Sequence, residues 1–205
     1  MGIPEMVPFY SAAEYYELER EADYRSEYFQ GEIFAMAGGS PRHSMISANL
    51  LRELGNGLKG KPCAPYESNM RLAVKATGLR SYPDASVYCG KLELDPEDPT
   101  QQTAINPTVL FEVLSPSTER WDRGRKAEHY RQIPSLKAYL LITQEKPHVE
   151  LIERTADGSW RLREASGTEG SLPIECLGID LELAGLYERV EFDPETPDVD
   201  LVPTD

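Results

Sequence analysis

Glu112 stands in the middle of Thr108-Val109-Leu110-Phe111-Glu112-Val113-Leu114, a run that otherwise reads as an apolar strand. Alternation puts it on the same side as Leu110 and Leu114, so a solvated strand face accounts for it poorly. Asp84 poses the same problem in Tyr82-Pro83-Asp84-Ala85-Ser86-Val87-Tyr88-Cys89. An ionised carboxylate left alone in a low-dielectric core costs several kcal/mol on the order of magnitude known for buried charges. Any fold of this chain must therefore bring a cation, a metal or several donors to both positions. A bound divalent metal would serve both acids at once. Backbone N–H groups for Asp84 and a buried ion pair with an arginine for Glu112 are the alternatives.

The 205 residues suffice for one domain with a substantial core, which we place at 1–192. Residues 193–205 are acidic and carry Pro194, Pro197 and Pro203, the composition of a disordered tail. No stretch of about 18 apolar residues is present, and Met1–Tyr10 has neither a basic flank nor an apolar segment, so a cytoplasmic protein without a membrane span is expected. The three cysteines, Cys63, Cys89 and Cys176, are widely spaced and read as plain buried thiols. A net charge of −14 opposes nonspecific attraction to phosphate backbones, so any nucleic-acid face must be locally basic.

Ser11 and Glu14 form a capping box that opens a short helix ending near Ala22. Tyr28-Phe29 and Ile33-Phe34 flank Gly31 as a hairpin, leaving Glu27 and Glu32 at a solvated hairpin end. Ser40-Pro41 starts a helix striped by Met45, Ala48, Leu51, Leu54 and Leu58. Met70, Leu72 and Val74 alternate with polar neighbours as a half-buried strand, and Leu94 to Pro107 reads as a loop. A helix from about Asp122 to Ile133 is stopped by Pro134, and Ala138–Ile142 is a buried strand. The segments 149–153 and 160–163 form a second hairpin, and 177–183 adds a strand.

The resulting order from Pro41 to Ile142, helix, three strands, helix, strand, predicts an α/β fold with a mixed sheet. It resembles the PD-(D/E)XK nuclease core, the restriction-endonuclease-like fold, in which Pro-Asp and an acid-x-lysine motif sit on adjacent strands. Pro83-Asp84 matches the first part; Glu112-Val113-Leu114 matches the second except that leucine replaces the lysine. Lys126 shares a helix face with Asp122, Tyr130 and Ile133 and can supply the cation from there. Glu27–Glu32, His43, Tyr82-Pro83-Asp84, Phe111 through Thr118, and Asp122 through Lys126 to Tyr130 together resemble the bacterial Uma family of restriction-endonuclease-like proteins.

That resemblance implies a Mg²⁺- or Mn²⁺-dependent endonuclease acting on DNA. Asp84, Glu112 and the Val113 carbonyl would offer hard oxygen ligands, with His43 a further ligand, and Lys126 would join Asp84 and Glu112 as the catalytic set. Without the resemblance, Lys126 reads as an ordinary helix pair with Asp122, and His43 as a histidine bonded to a neighbouring strand. Arg120, Arg123, Arg125, Lys126 and Arg131 form a candidate phosphate-tracking patch. Cutting both strands is easiest with two symmetric sites, which predicts a homodimer. The competing expectation is a nuclease fold kept as a noncatalytic binding or regulatory module. A third, a hydrolase of small phosphate esters, lacks a glycine-rich phosphate loop.

Overall fold

The computed structural model describes residues 8–36 and 38–193. The expected acidic tail lies outside these residues apart from Asp193. Helix α1 (Ala12–Glu21) begins as its capping box requires: the Ser11 N–H donates to Glu14 at 2.7 Å and Ser11 Oγ accepts from the Glu14 N–H. Strands β1 (Ser26–Phe29) and β2 (Glu32–Ala35) form the expected hairpin, turned by Gln30 and Gly31 at φ of 48° and 88°. Helix α2 (Pro41–Gly57) is capped by Ser40 Oγ, which accepts from the His43 N–H at 3.0 Å. Its buried stripe is Ile46, Leu50 and Leu54, running on to Leu58, while Met45 is exposed. The face is thus turned by about one residue from the predicted stripe.

Six strands follow: β3 (Cys63–Glu67), β4 (Arg71–Val74), β5 (Leu79–Ser81), β6 (Ala85–Cys89), β7 (Thr103–Ala104) and β8 (Val109–Val113). A crossover of α3 (Glu119–Trp121), one π turn (Asp122–Lys126) kinked at Gly124, and α4 (Ala127–Tyr130) leads to β9 (Ala138–Ile142). Strands β10 (His148–Arg154), β11 (Trp160–Ser166), β12 (Ser171–Ile174) and β13 (Ile179–Glu182) and a last turn, α5 (Leu183–Leu186), complete the chain.

The central sheet runs β11-β10-β9-β8-β6-β3, with β8 and β9 parallel and the other neighbours antiparallel. The strand read at Met70–Val74 does not join it. Instead β4 belongs to a second sheet, β2-β1-β5-β4-β7, and its place is taken by β3, whose Ala64-Pro65-Tyr66 carries no clear alternation. As an inner strand of that sheet, β4 is buried from Arg71 to Val74: Leu72 and Val74 join the core, and the Arg71 guanidinium sits against the rings of Tyr15, Tyr16 and Tyr82. The expected loop 94–107 contains β7 and two buried aspartates, Asp95 and Asp98.

One face of the central sheet packs Val87, Phe111 and Leu140 on Ile46, Leu50, Leu54 and the C-terminal Leu181 and Leu186. The other packs Leu110, Tyr139 and Leu141 on Leu72, Leu79, Tyr130 and Ile133. A parallel β8–β9 pair requires a crossover, and this one lies over the second face, which is also the face of Glu112. Cys63 and Cys89 are paired across β3 and β6 as a disulfide, and Cys176 is exposed. The expectation of three plain buried thiols is therefore corrected. The signal missed was register, which sets the two cysteines directly opposite each other.

Candidate nuclease centre

Glu112 is buried at 4 % exposure, in mid-strand, with its carboxylate turned into the crossover. Its Oε1 lies 2.8 Å from Lys126 Nζ and accepts from the Tyr130 hydroxyl at 2.9 Å. The same hydroxyl lies 3.1 Å from Ser81 Oγ. Lys126, also buried, has two more anionic neighbours: Asp122 Oδ1 at 3.3 Å and Glu27 Oε1 at 3.2 Å. The four-residue step from Asp122 to Lys126 spans the π turn, and the Asp122 carbonyl accepts from the Tyr139 hydroxyl at 3.1 Å. The helix pair read from sequence exists, but it is buried and shared among three carboxylates.

Asp84 precedes β6 and is tied down at both oxygens. Oδ2 accepts the Val113 N–H at 2.7 Å, and Oδ1 lies 3.2 Å from His43 Nε2. Backbone capture of Asp84 and a histidine bonded to a neighbouring strand are thus both present. His43 is brought there by the Ser40 cap, and the Ser40 hydroxyl donates to Gln144 Oε1 at 2.5 Å. Gln144 in turn donates to the Leu114 carbonyl at 2.5 Å, linking the start of α2 to the end of β8. His43 and Asp84 side chains are 20 % and 16 % exposed, whereas those of Glu112, Lys126 and Asp122 are 4–5 % exposed. The centre is thus least buried at His43 and Asp84, with Glu27 next at 14 %.

The charges are unequal to one another. Burial pushes the Glu112 carboxyl well above the usual range; Lys126 opposes that, while the charges of Asp122 and Asp84 add to it. Burial likewise raises Asp122. For Lys126 burial pulls downward, but Glu112, Tyr130, Glu27 and Asp122 outweigh it, so the ammonium form persists. The hydrogen bond to Asp84 raises the His43 imidazole. Four carboxylates, those of Glu27, Asp84, Glu112 and Asp122, thus face one buried ammonium and one titratable imidazole.

The surplus of carboxylate charge suits a hard divalent cation, but the donors are not gathered around one point: among the described residues, His43, Asp84 and Glu112 do not bring three ligand atoms within 4.8 Å of one another, and His43 Nε2 and Asp84 Oδ1, 3.2 Å apart, are hydrogen-bonded to each other. Val113 is held beside them through its N–H.

Glu27 was missed. The sequence places it at a solvated hairpin end, yet its side chain is only 14 % exposed and faces Lys126. Alternation did carry a signal, since Glu27 and Phe29 share a strand side and Phe29 packs at the edge of the Tyr130 core. The basic patch is less basic than it reads: Arg123 is engaged by Glu119 at 2.7 Å and Glu150 at 2.6 Å. Arg120 and Arg125 are exposed.

Residues 12–196 match the Uma2 family, described as "Putative restriction endonuclease". Among curated relatives, two uncharacterized proteins of Synechocystis are similar. One, slr1290, is 33 % identical over 186 residues, which span 90 % of this chain and 95 % of that protein. The other, sll1609, is 34 % identical over 169 residues, spanning 82 % and 94 % respectively. In three dimensions the chain is similar to a crystal structure from Anabaena variabilis described as "a putative nuclease belonging to DUF820". The TM-score is 0.68, covering 85 % of this chain and 95 % of that one at 16 % identity, and this likeness bears on the fold alone. Among the described residues no helix is long and apolar enough to cross a membrane. With the match covering nearly the whole length, the chain belongs to the Uma2 family.

Proposed function

We propose that this chain is a Mg²⁺- or Mn²⁺-dependent endonuclease that hydrolyses phosphodiester bonds in DNA, working as a homodimer. One observation carries the reading most: a buried ammonium among three carboxylates adjoins a partly exposed Asp84–His43 pair, and the whole remains short of positive charge. Charge-deficient acid clusters of this kind suit a divalent ion and a phosphate better than they suit a core.

In this reading Asp84, Glu112, the Val113 carbonyl and His43 would hold the ion. When bound, it supplies Lewis-acid polarisation of a phosphate oxygen and a water of lowered pKa. As a ligand His43 would offer Nε2 without its proton, and Asp84 would offer Oδ1, the oxygen not held by the Val113 N–H. Lys126 opposes the burial that favours the protonated form of Glu112 and adds fixed positive charge next to the phosphate, standing in for the lysine that Leu114 replaces. Tyr130 and the Val113 N–H fix the two carboxylates against rotation, so little reorganisation is needed when charge develops. Arg120 and Arg125, on the exposed side of the crossover, are placed to follow the backbone of the strand.

The test is cleavage of supercoiled plasmid and single-stranded DNA with Mg²⁺, Mn²⁺ or EDTA, comparing the wild type with Asp84→Ala and Lys126→Ala. Metal-dependent cutting that both substitutions abolish supports the whole set. Cutting lost only in Asp84→Ala removes Lys126 from the reaction. A second reading, a noncatalytic module, draws support from the engagement of both Asp84 oxygens and of Glu112 Oε1 by the protein itself. A folded protein that cuts no substrate and gains no stability from metal would decide for it.

A further inference from the structure

The second hairpin carries a group of side chains that the nuclease reading does not use. His148 and Glu150 are two apart on β10 and so point to one side of the ribbon. Across the ladder, Ser166 stands opposite His148 and Glu164 opposite Glu150. His148 Nε2 lies 3.4 Å from Glu150 Oε1 and 3.6 Å from Glu164 Oε2. These separations are long for N–H···O hydrogen bonds, which cluster at about 2.7–3.2 Å. They are close to the roughly 3.3–3.5 Å between neighbouring ligands that surround one ion tetrahedrally at about 2.0–2.1 Å.

Two further features hold the group in a ligating posture. His148 Nδ1 is 2.8 Å from Ser166 Oγ, a bond that fixes the ring and leaves Nε2 for the carboxylates; outer partners do this for metal-binding histidines generally. The other Glu150 oxygen is anchored by Arg123 Nη1 at 2.6 Å, so Oε1 is held in place. The side chains of His148 and Glu150 are both only 15 % exposed, so neither is a freely moving surface group.

We propose that His148, Glu150 and Glu164 form a second metal site, selective for a Zn²⁺-class divalent ion, with one position left to water or an anion. One imidazole with two carboxylates favours Zn²⁺, Co²⁺ or Mn²⁺ over Mg²⁺. Register gives its location. Glu112 pairs laterally with Leu141, Leu141 with Glu150, and Glu150 with Glu164, so the site opens on the same sheet face as Lys126, two strands away or about 10 Å. Arg123, three residues before Lys126 on the crossover, reaches Glu150 from that side.

The inference stands apart from the nuclease reading and is tested without activity. His43→Ala protein, in which the imidazole of the nuclease centre is removed, is titrated with Zn²⁺ and separately with Mg²⁺ by calorimetry, and with Co²⁺ by visible absorption. One Zn²⁺ equivalent is expected, with at least tenfold weaker affinity after adding His148→Ala or the surface change Glu164→Gln, and Mg²⁺ binding at least a hundredfold weaker. The exposed Cys176 is changed to serine throughout, so a thiol cannot supply the signal. No Zn²⁺ binding in the His43→Ala parent, or binding unchanged by both hairpin substitutions, would overturn the proposal. Because Glu164 is largely exposed, a folding failure of the His148 variant leaves the Glu164 result decisive.

Discussion

Replacing Lys126 by methionine keeps most of the side-chain volume and removes only the charge, leaving Glu112, Asp122 and Glu27 around an apolar tip. Removing one partner of a buried ion pair costs about 3–5 kcal/mol, since the remaining charge is stranded. With roughly 2–4 °C per kcal/mol for a domain of this size, the melting temperature should fall by about 6–20 °C. The loss should depend on pH in a definite direction. Burial already holds the Glu112 carboxyl well above its ordinary range, and without Lys126 it rises further. A carboxyl raised on folding leaves the protein least penalised below its unfolded pKa of about 4.3, and the penalty grows as pH climbs toward the folded value. Urea unfolding of wild type and Lys126→Met at pH 5 and pH 8 should therefore show the larger gap at pH 8. Glu112→Gln combined with Lys126→Met should be at least about 1 kcal/mol more stable than the two single losses sum to, because the stranded charge is gone. A single-variant loss below about 1 kcal/mol, or one independent of pH, would refute the account of Lys126 as the cation that makes Glu112 tolerable.

His43 is raised by its bond to Asp84, so the stability that this pair contributes is complete below the unfolded pKa of about 6.5 and lost as pH rises through the folded value. His43→Ala should accordingly destabilise more at pH 6 than at pH 9 in urea titrations, and an equal loss at both would break the link. Metal-dependent cleavage should show the opposite trend and strengthen with pH over the same window, since the ion competes with that proton. Glu27→Gln should lower plasmid cleavage at least tenfold while the protein remains folded by circular dichroism; full activity would return Glu27 to a structural role. Thiol titration of unreduced, denatured protein should find one reactive cysteine, Cys176, and a count of three would mean that the Cys63–Cys89 bond is open in the isolated protein.

Features written locally were legible in the sequence. The Ser11/Glu14 box, the Ser40-Pro41 start and the Gly31 turn each depend on residues within four positions, and each forms as read. Asp84 and Glu112 were legible for a different reason: a carboxylate inside an apolar run is a contradiction that only a tertiary partner resolves, so the sequence announces that a partner exists. It does not announce which one. Whether β3 or β4 borders β6 is decided by long-range pairing, and the alternation of β4 was the stronger local signal although β4 is the strand that leaves the central sheet.

Glu27 shows the same limit at the site itself. In a four-residue strand beside a turn, one glutamate is indistinguishable from a solvated one until the hairpin docks, and it is the β1–β5 pairing at Tyr28 and Arg80 that joins the hairpin to the rest of the second sheet. The acid therefore reaches Lys126 from 99 residues earlier in the chain, through contacts that no local pattern encodes. This has a chemical consequence. Three of the four carboxylates at the centre lie on separate elements, β1, the start of β6 and β8, while the fourth shares its turn with the cation. The charge surplus that favours a divalent ion exists only when both sheets and the crossover are assembled, so metal affinity and native packing should be gained and lost together.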